Sequence, residues 1–436
     1  MVTTTTAAGG RLSLLRERDF RSFFVAHTVS QLGDRVSELA FPLIAVLVLD
    51  ATPGQVAVLT ALVWLPNLAS VFLGAWIDRV EHKKRILVAA DLARAVLLVT
   101  VPLAFAFDGL TLVQLYAVAL LTGAGAALFN TTYPAFFVLL VRREDFIAAN
   151  SALSASRSAS FVAGPALGGA LVQVLSAPGA VLVDAASFLA SALFTGRVRQ
   201  RRRPELPPPE ETAPATLLRD ALDGLTFTLR HEVLRGVLGC CTTANYFTFV
   251  AAALVILFAS RELGIPSGLI GLGLGVGAVG GLVGAFAAPV LCRRLGVGRC
   301  AVVGGIVFPA SIAVIAVADG PEGARVALLA LSEFFSGFGV MLFDINLNSV
   351  LATVIPDHLR SRVAGAFSAV NYGVRPLGAL SGGALASWVG LRPTLWFAAI
   401  GGCLCVLWLW GSPALRARSL EDLAPRAQSS GRSSSA

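Results

Sequence analysis

Two stretches of this chain repeat one another at a distance close to half its 436 residues. GPALGGAL begins at Gly164, and GALSGGAL begins at Gly378, 214 residues later. Each follows an apolar stretch that ends in polar residues (Asn130 to Tyr133; Asp344 to Ser349) and a short basic loop. GAWIDRV from Gly74 and GAFAAPV from Gly284 stand 210 apart and support the same register. A period near half the chain length describes two homologous halves.

Both halves are too apolar for a soluble domain. Hydrophobic residues make up 56% and charged residues 14%, against about 45–50% and about 25% in soluble proteins. The apolar runs are about 18–25 residues long, enough at 1.5 Å per residue to cross roughly 30 Å of hydrocarbon. Twelve are expected, near 20–49, 54–78, 86–107, 110–140, 150–175, 178–197, 234–260, 267–291, 299–318, 324–350, 362–388 and 392–411. The fold class is therefore an all-α membrane protein with twelve transmembrane helices in two pseudo-symmetric six-helix bundles. The expected organisation is a segment 1–19, a bundle 20–197, a linker 198–232 rich in Arg and Pro, a bundle 233–412 and a tail 413–436 too polar to fold.

Net charge is +8, yet the arginines form no single patch, which argues against nucleic acid as a partner. They recur on alternate loops, with Arg261, Arg325 and Arg392 the exceptions on the opposite set. This bias places both termini in the cytoplasm of a multi-pass cell-membrane protein. The first span is too long for a cleavable leader and reads as a signal anchor. Six cysteines show no ligand spacing, so no metal is expected. The only lysines are Lys83 and Lys84, which leaves no phosphate-loop lysine, and ATP is not an expected partner. The run GLGLGVGAVGGLVG from Gly271 has no strand before it and no acid at the right distance after it. It reads as small-residue helix packing rather than a dinucleotide site, and no cofactor is expected.

The loop GAWIDRVEHKKR, Gly74 to Arg85, resembles the signature loop of the major facilitator superfamily. Gly74, Asp78, Arg79, Lys83 and Lys84 match it in type, and Glu81 stands where the family usually has Gly. The resemblance implies that Asp78 latches the cytoplasmic helix ends, and a carboxylate suits the positive end of a neighbouring helix. The second-half copy has Ala288 and Pro289 there instead. A stop-transfer basic cluster beside a chance Asp is the plain alternative. GPALGG, with Gly164, Pro165, Gly168 and Gly169 as fixed points, resembles the antiporter motif of the same superfamily. Ser160 replaces the upstream Gly of that motif. It implies a rocking, sealing helix, and a purely structural small-residue interface stands beside that reading. SQLGD from Ser30, DLAR from Asp91 and RREDFIAAN from Arg142 resemble the branch that holds macrolide-efflux proteins and enterobactin-type siderophore exporters.

Charges inside apolar spans cost about 2.5–3.5 kcal/mol each and so face protein or water. In the first span His27, Gln31, Asp34 and Glu38 fall on one helix face, with Arg35 beside them. Two carboxylates one turn apart repel, a tension that binding a proton relieves. Asp34 and Glu38, and Glu333 with Asp344 on one face of the tenth span, are the proton-coupling candidates. Satisfied structural ion pairs are the alternative for Asp34 and Arg35, and His27 reads as packing. The family resemblance places the substrate among spans one, four, seven and ten. Gln31, Asn130, Asn245 and Tyr246 are candidates there, with Arg157, Asn371 and Arg375 from spans five and eleven. Asp91 and Arg94 read as a local pair near one end of span three. The expected function is a secondary active transporter, a proton-coupled exporter of an amphipathic small molecule working by alternating access. An uptake carrier of the same fold and a non-transporting scaffold or sensor stay open.

Overall fold

The computed structural model describes residue 14 and residues 16–199, 214–356, 359–410 and 412, and these residues form helices and no strand. The Arg-rich part of the expected linker (200–213) and the expected tail (413–436) lie outside the described residues. In chain order the helices are α1 (Arg18–Leu47), α2 (Pro53–Trp64), α3 (Ser70–Arg79), α4 (Lys83–Ala106), α5 (Leu112–Leu140), α6 (Phe146–Gly196), α7 (Pro214–Arg230), α8 (Glu232–Leu257), α9 (Ser267–Leu295), α10 (Val297–Ala316), α11 (Glu322–Val354), α12 (Arg360–Val389) and α13 (Leu391–Cys403).

The local chemistry explains several of these boundaries. Thr52 starts α2 through a reciprocal capping box with Gln55, and Pro53 occupies the first turn, where its missing N–H costs nothing. A 3₁₀ turn at Leu65–Ala69, with Pro66 in its first turn, joins α2 to α3, so the second expected span is one broken helix. The fifth and sixth spans run together as α6, whose 51 residues double back at Ser176 (φ 68°) just before Pro178. A helix also occupies part of the linker region. α7 packs on α12, where Gly224 meets the Arg362 backbone and Thr228 is buried.

Eight helices among the described residues are long and apolar enough to cross a bilayer, and α6 covers two expected spans. α1 and α12 have the length, 30 residues each, but carry the polar stripes that define the site. The glycine run of α9 is helix packing, as expected. Gly273, Gly277, Gly280 and Gly284 face Leu329, Glu333, Phe334 and Phe338 of α11, while Gly271 and Gly275 face α6.

The two ends of the molecule differ. Segments such as 79–85 and 142–145 make one end rich in Arg and Lys; the other end holds Arg261, Arg325 and Arg392. These three exceptions to the loop bias donate to the carbonyls of Val46, Leu263 and Ala318, which satisfies acceptors at or just past helix C-termini. At this Arg-poor end one apolar core draws Val36, Leu39 and Leu43, Val172, Val181 and Phe188, Val250 and Phe258, and Leu391 and Leu395 together, joining both halves. Toward the Arg-rich end the core splits. Phe23, Phe129 and Phe136 cluster in the first half, and Val237, Phe343 and Phe367 in the second.

The seam between halves is a backbone contact. A methyl group on Gly169 of α6 would stand 2.7 Å from the Gly271 Cα of α9, and one on Gly383 of α12 would stand 3.0 Å from the Pro53 carbonyl. Gln173 Oε1 accepts from the Gly268 N–H (3.2 Å), so a side chain of one half satisfies the helix start of the other.

Candidate substrate and coupling site

Two adjoining cavities lie between the halves, of about 460 Å³ and about 530 Å³, and Tyr372 borders both. The first is walled by the first half: His27, Gln31, Asp34 and Glu38 from α1, Asn130 from α5 and Arg157 from α6 all line it. The second is walled by Asn245 of α8, Asp344 of α11, and Asn371 and Arg375 of α12, and it reaches Ile355 and Val363 at the Arg-rich helix ends. Asn130 and Asp344, equivalent in the repeat, thus occupy matching walls.

Two candidates lie elsewhere. Glu333 borders neither cavity; it faces Gly277 in the α9–α11 seam, where a methyl group would stand 3.4 Å from its Oε2. Eleven residues return a helix to the same face but shift it about 16 Å along the axis, and at the depth of Glu333 that face is covered by α9. Tyr246 is turned from its neighbour Asn245 by one residue of helix, about 100°, and its hydroxyl donates to Ser381 Oγ (2.8 Å).

The charges of the first wall are paired. Arg35 donates to Glu38 (2.6 Å) along α1, and Arg94 of α4 forms an ion pair with Asp34. The expected local Asp91–Arg94 pair is therefore replaced by one between helices. The Arg94 side chain is long enough to reach α1 and lies over the Phe188 ring, 3.8 Å from its centre, while Asp91 accepts from Ser191 (2.6 Å). His27 is packing, as expected: it is buried in a stack with Phe23, Phe129 and Tyr133.

The second wall has a different chemistry. The Arg375 guanidinium sits 4.6, 4.8 and 5.1 Å from the rings of Trp64, Tyr372 and Phe249. Its Nε donates to Asn245 Oδ1 (3.3 Å), and Asn245 Nδ2 donates to Asn371 Oδ1 (3.1 Å). Trp64 comes from the first half, so this aromatic box is built by both. Arginine can take such a place because its flat, weakly hydrated cation stacks on rings.

The motif residues serve helix contacts. Gly164 accommodates the Arg35 stem and Gly168 the Val36 backbone, where a methyl group would stand 3.2 Å from Cα; Gly169 forms the seam, and Pro165 presents its carbonyl to Gly271. Gly74 of α3 faces Thr131 of α5. Lys83 Nζ donates to the Val80 carbonyl (3.0 Å), and Lys84 Nζ to the carbonyls of Gly196 and Val198 (3.2 and 3.1 Å). Both therefore cap chain segments at helix C-termini. Arg79 is exposed at the end of α3, and the side chain of Asp78 lies outside the described residues.

Sequence reasoning passed over Asp184, Phe188, Trp64 and Phe249. Asp184 carried a signal, being a lone charge in an apolar span. The aromatic rings carried none, because nothing in a helical pattern distinguishes a ring facing a cavity from one facing lipid.

Two helical halves, joined at one end and parted around a polar cavity that reaches the other, define a multi-pass membrane transporter. The chain belongs to the major facilitator superfamily, whose family model matches residues 23–372 and 236–428. It is 28% identical over 407 residues to the multidrug efflux pump Tap of Mycobacterium tuberculosis, covering 91% of this chain and 93% of that protein. It is 25% identical over 403 residues to the MFS-type transporter YfiS of Bacillus subtilis, covering 90% and 91%. Among solved structures, a bacterial homologue of the iron transporter ferroportin in its inward-facing state superposes with a TM-score of 0.70 at 17% identity, covering 90% of this chain and 98% of that one. The nucleoside transporter NupG gives 0.69 at 14% identity, again covering 90% and 98%.

Proposed function

We propose that this protein is a proton-coupled exporter of amphipathic small molecules in a bacterial cell membrane, with both termini cytoplasmic. The observation that carries the reading is the composite cavity. An aromatic box and amides suited to a flat or amphipathic molecule adjoin a wall of ionisable groups suited to moving protons. The similarity to a protein described as a multidrug efflux pump supports export. With the Arg-rich end cytoplasmic, the cavity faces the cytoplasm and the glycine seam closes the outer side.

Alternating access then consists of parting the Gly169–Gly271 seam while the Arg-rich ends close. Asp34, Glu38 and Asp344 are carboxylates that the cavities offer to protons, and Asp184 borders the first cavity beside them. Gln31, Asn130, Arg157, Asn245, Asn371 and Arg375 offer polar contacts to substrate. One charge moving through about 100 mV yields about 2.3 kcal/mol, which supports accumulation of about fifty-fold per proton.

The test is a panel of toxic amphipathic compounds given to a pump-deficient bacterial host with and without the gene, followed by transport in proteoliposomes under an imposed pH gradient. Resistance together with gradient-driven movement that a protonophore abolishes is the expected result. Growth on a single nutrient without resistance overturns export, and no movement of any compound overturns transport.

A further inference from the structure

Asp184 is the only ionisable residue between Ala177 and Gly196, and it is 1% exposed. It borders the first cavity and accepts hydrogen bonds from Ser37 of α1 and from Ser187 (3.1 Å). One turn along α6, Phe188 lies under the Arg94 guanidinium, so Arg94 stands between Asp34 and the face of α6 that carries Asp184. The charged groups around this place are Asp34, Arg35 and Glu38 on α1 and Asp91 and Arg94 on α4, and Arg157 of α6 lines the same cavity.

The charges do not balance. Arg35 and Glu38 neutralise one another, which leaves the three carboxylates of Asp34, Asp91 and Asp184 against two cations, Arg157, exposed on the cavity wall, and the guanidinium of Arg94. Asp34 takes that guanidinium, while Asp91 and Asp184 receive only serine hydroxyls. Asp91 Oδ1, in a residue that is 0% exposed, and Arg94 Nε have no hydrogen-bond partner at all. Among the described residues no group of three His, Cys, Asp or Glu could hold a metal ion in compensation. Serine hydroxyls are poor compensation for a buried carboxylate, and excess buried negative charge is relieved by protons. Asp91 does not border the cavity, whereas Asp184 does and is bonded to the helix that carries Asp34.

We infer that Asp184, rather than Asp34 or Glu38, is the group that takes up and releases the coupling proton, with Arg94 as the counter-ion it shares with Asp34. Uptake forms an O–H bond between the Asp184 carboxylate and a proton from cavity hydronium, and Asp34 then holds Arg94 alone. Release breaks that bond, returns the proton to cavity water and divides Arg94 between the two carboxylates. Ser37 reports the change to α1, because its hydroxyl can donate to the carboxylate or accept from the acid. The inference rests on the proton-coupled reading above.

The test uses the full-length protein with Asp184→Asn and Asp184→Glu. Asn keeps the shape and can accept from one serine through Oδ1 while its Nδ2 donates to the other hydroxyl, which then turns to accept, so both contacts to Ser37 and Ser187 can be kept. Infrared difference spectra across a pH titration, which need no substrate, read the carbonyl stretch of a protonated carboxyl. The expected result is a band that titrates in the wild type, shifts in Asp184→Glu and disappears in Asp184→Asn. In proteoliposomes with ethidium as probe, Asp184→Asn should collapse pH-driven accumulation to the equilibrium distribution while exchange of ethidium across the membrane persists. An Asp184→Asn protein that keeps the band, or that accumulates ethidium like the wild type, overturns the assignment. So does loss of exchange together with accumulation, which marks Asp184 as structural. Wild-type ethidium transport indifferent to a protonophore overturns the proton-coupled reading instead, and is recognisable because it appears before any substitution.

Discussion

The two halves repeat one another in sequence and both bring glycines to the contact between them, yet their cavity walls differ in chemistry. The first wall is ionic: Asp34, Arg94, Arg35, Glu38 and Asp184 are held by one another and by serines. The second wall holds one cation, Arg375, surrounded by three rings and two amides, with Asp344 nearby. Paired charges in a low-dielectric wall can exchange partners when one member binds a proton. A ringed arginine offers flat apolar surface and a fixed positive charge at once. The comparison teaches that the two halves keep their close helix contacts in common and differ in the chemistry of their walls, which on the function proposed above would divide ion handling from molecular recognition.

The largest effect should come from attacking the counter-ion of the first wall. Arg94→Gln removes the cation that Asp34 pairs with and that Asp91 and Asp184 lie beside; Asp34 is 38% exposed, so the loss falls below the about 3–5 kcal/mol of a fully buried pair broken from one side. Thermal unfolding in detergent should show a strongly lowered Tm, and adding Asp34→Asn should recover much of it. If Arg94→Gln and Arg375→Gln destabilise equally, the division between the walls is wrong.

Arg375→Lys and Arg375→Gln come next. Loss of guanidinium stacking should weaken binding of an aromatic compound by about ten-fold, from roughly 0.5–2 kcal/mol per ring contact, with expression maintained in both. Expression that collapses with Gln and survives with Lys would instead make Arg375 a structural counter-ion.

The shared seam gives a third test. Gly169→Leu overpacks the contact with Gly271 and should disfavour closure of the Arg-poor end by about 1–3 kcal/mol. Spin-label distances across that end should lengthen, and an unchanged distribution removes the seam from the gating account.

Asp78→Asn should have the smallest effect and the opposite sign. Asp78 has no counterpart in the second half, where Ala288 and Pro289 stand. Losing a carboxylate at a helix end, worth about 0.3–1 kcal/mol, should favour the state open at the Arg-rich end by a few-fold. Cysteine accessibility along Ser368 and Asn371 reads that shift, and no change removes the latch.

Much of this architecture was written in periodicity. Apolar length gave the positions of the helices to within a few residues, and the glycine spacing of α9 gave its packing role. The stripe Gln31, Asp34, Glu38 was legible because a helix repeats its face every three to four residues. What periodicity could not give was depth and partner. Glu333 shares a face with Asp344 but not a level along the axis, and Arg94 reaches past Asp91 to a helix some sixty residues away in sequence. Asp184 was visible as a solitary charge, but only the fold brings it to Ser37 and the Asp34–Arg94 pair.

The cross-half cap by Gln173 also bears on how the protein is assembled. The first half emerges from the ribosome with Gly169, Gln173 and the Gly54–Ala57 surface already made and nothing to cover them. The second half then arrives with Gly268, Gly271 and Gly383 as the matching surface. The mature contact is thus also a surface match that can guide one half onto the other. A gene cut within 200–213 and expressed as two chains should yield halves that find one another in the membrane through this face.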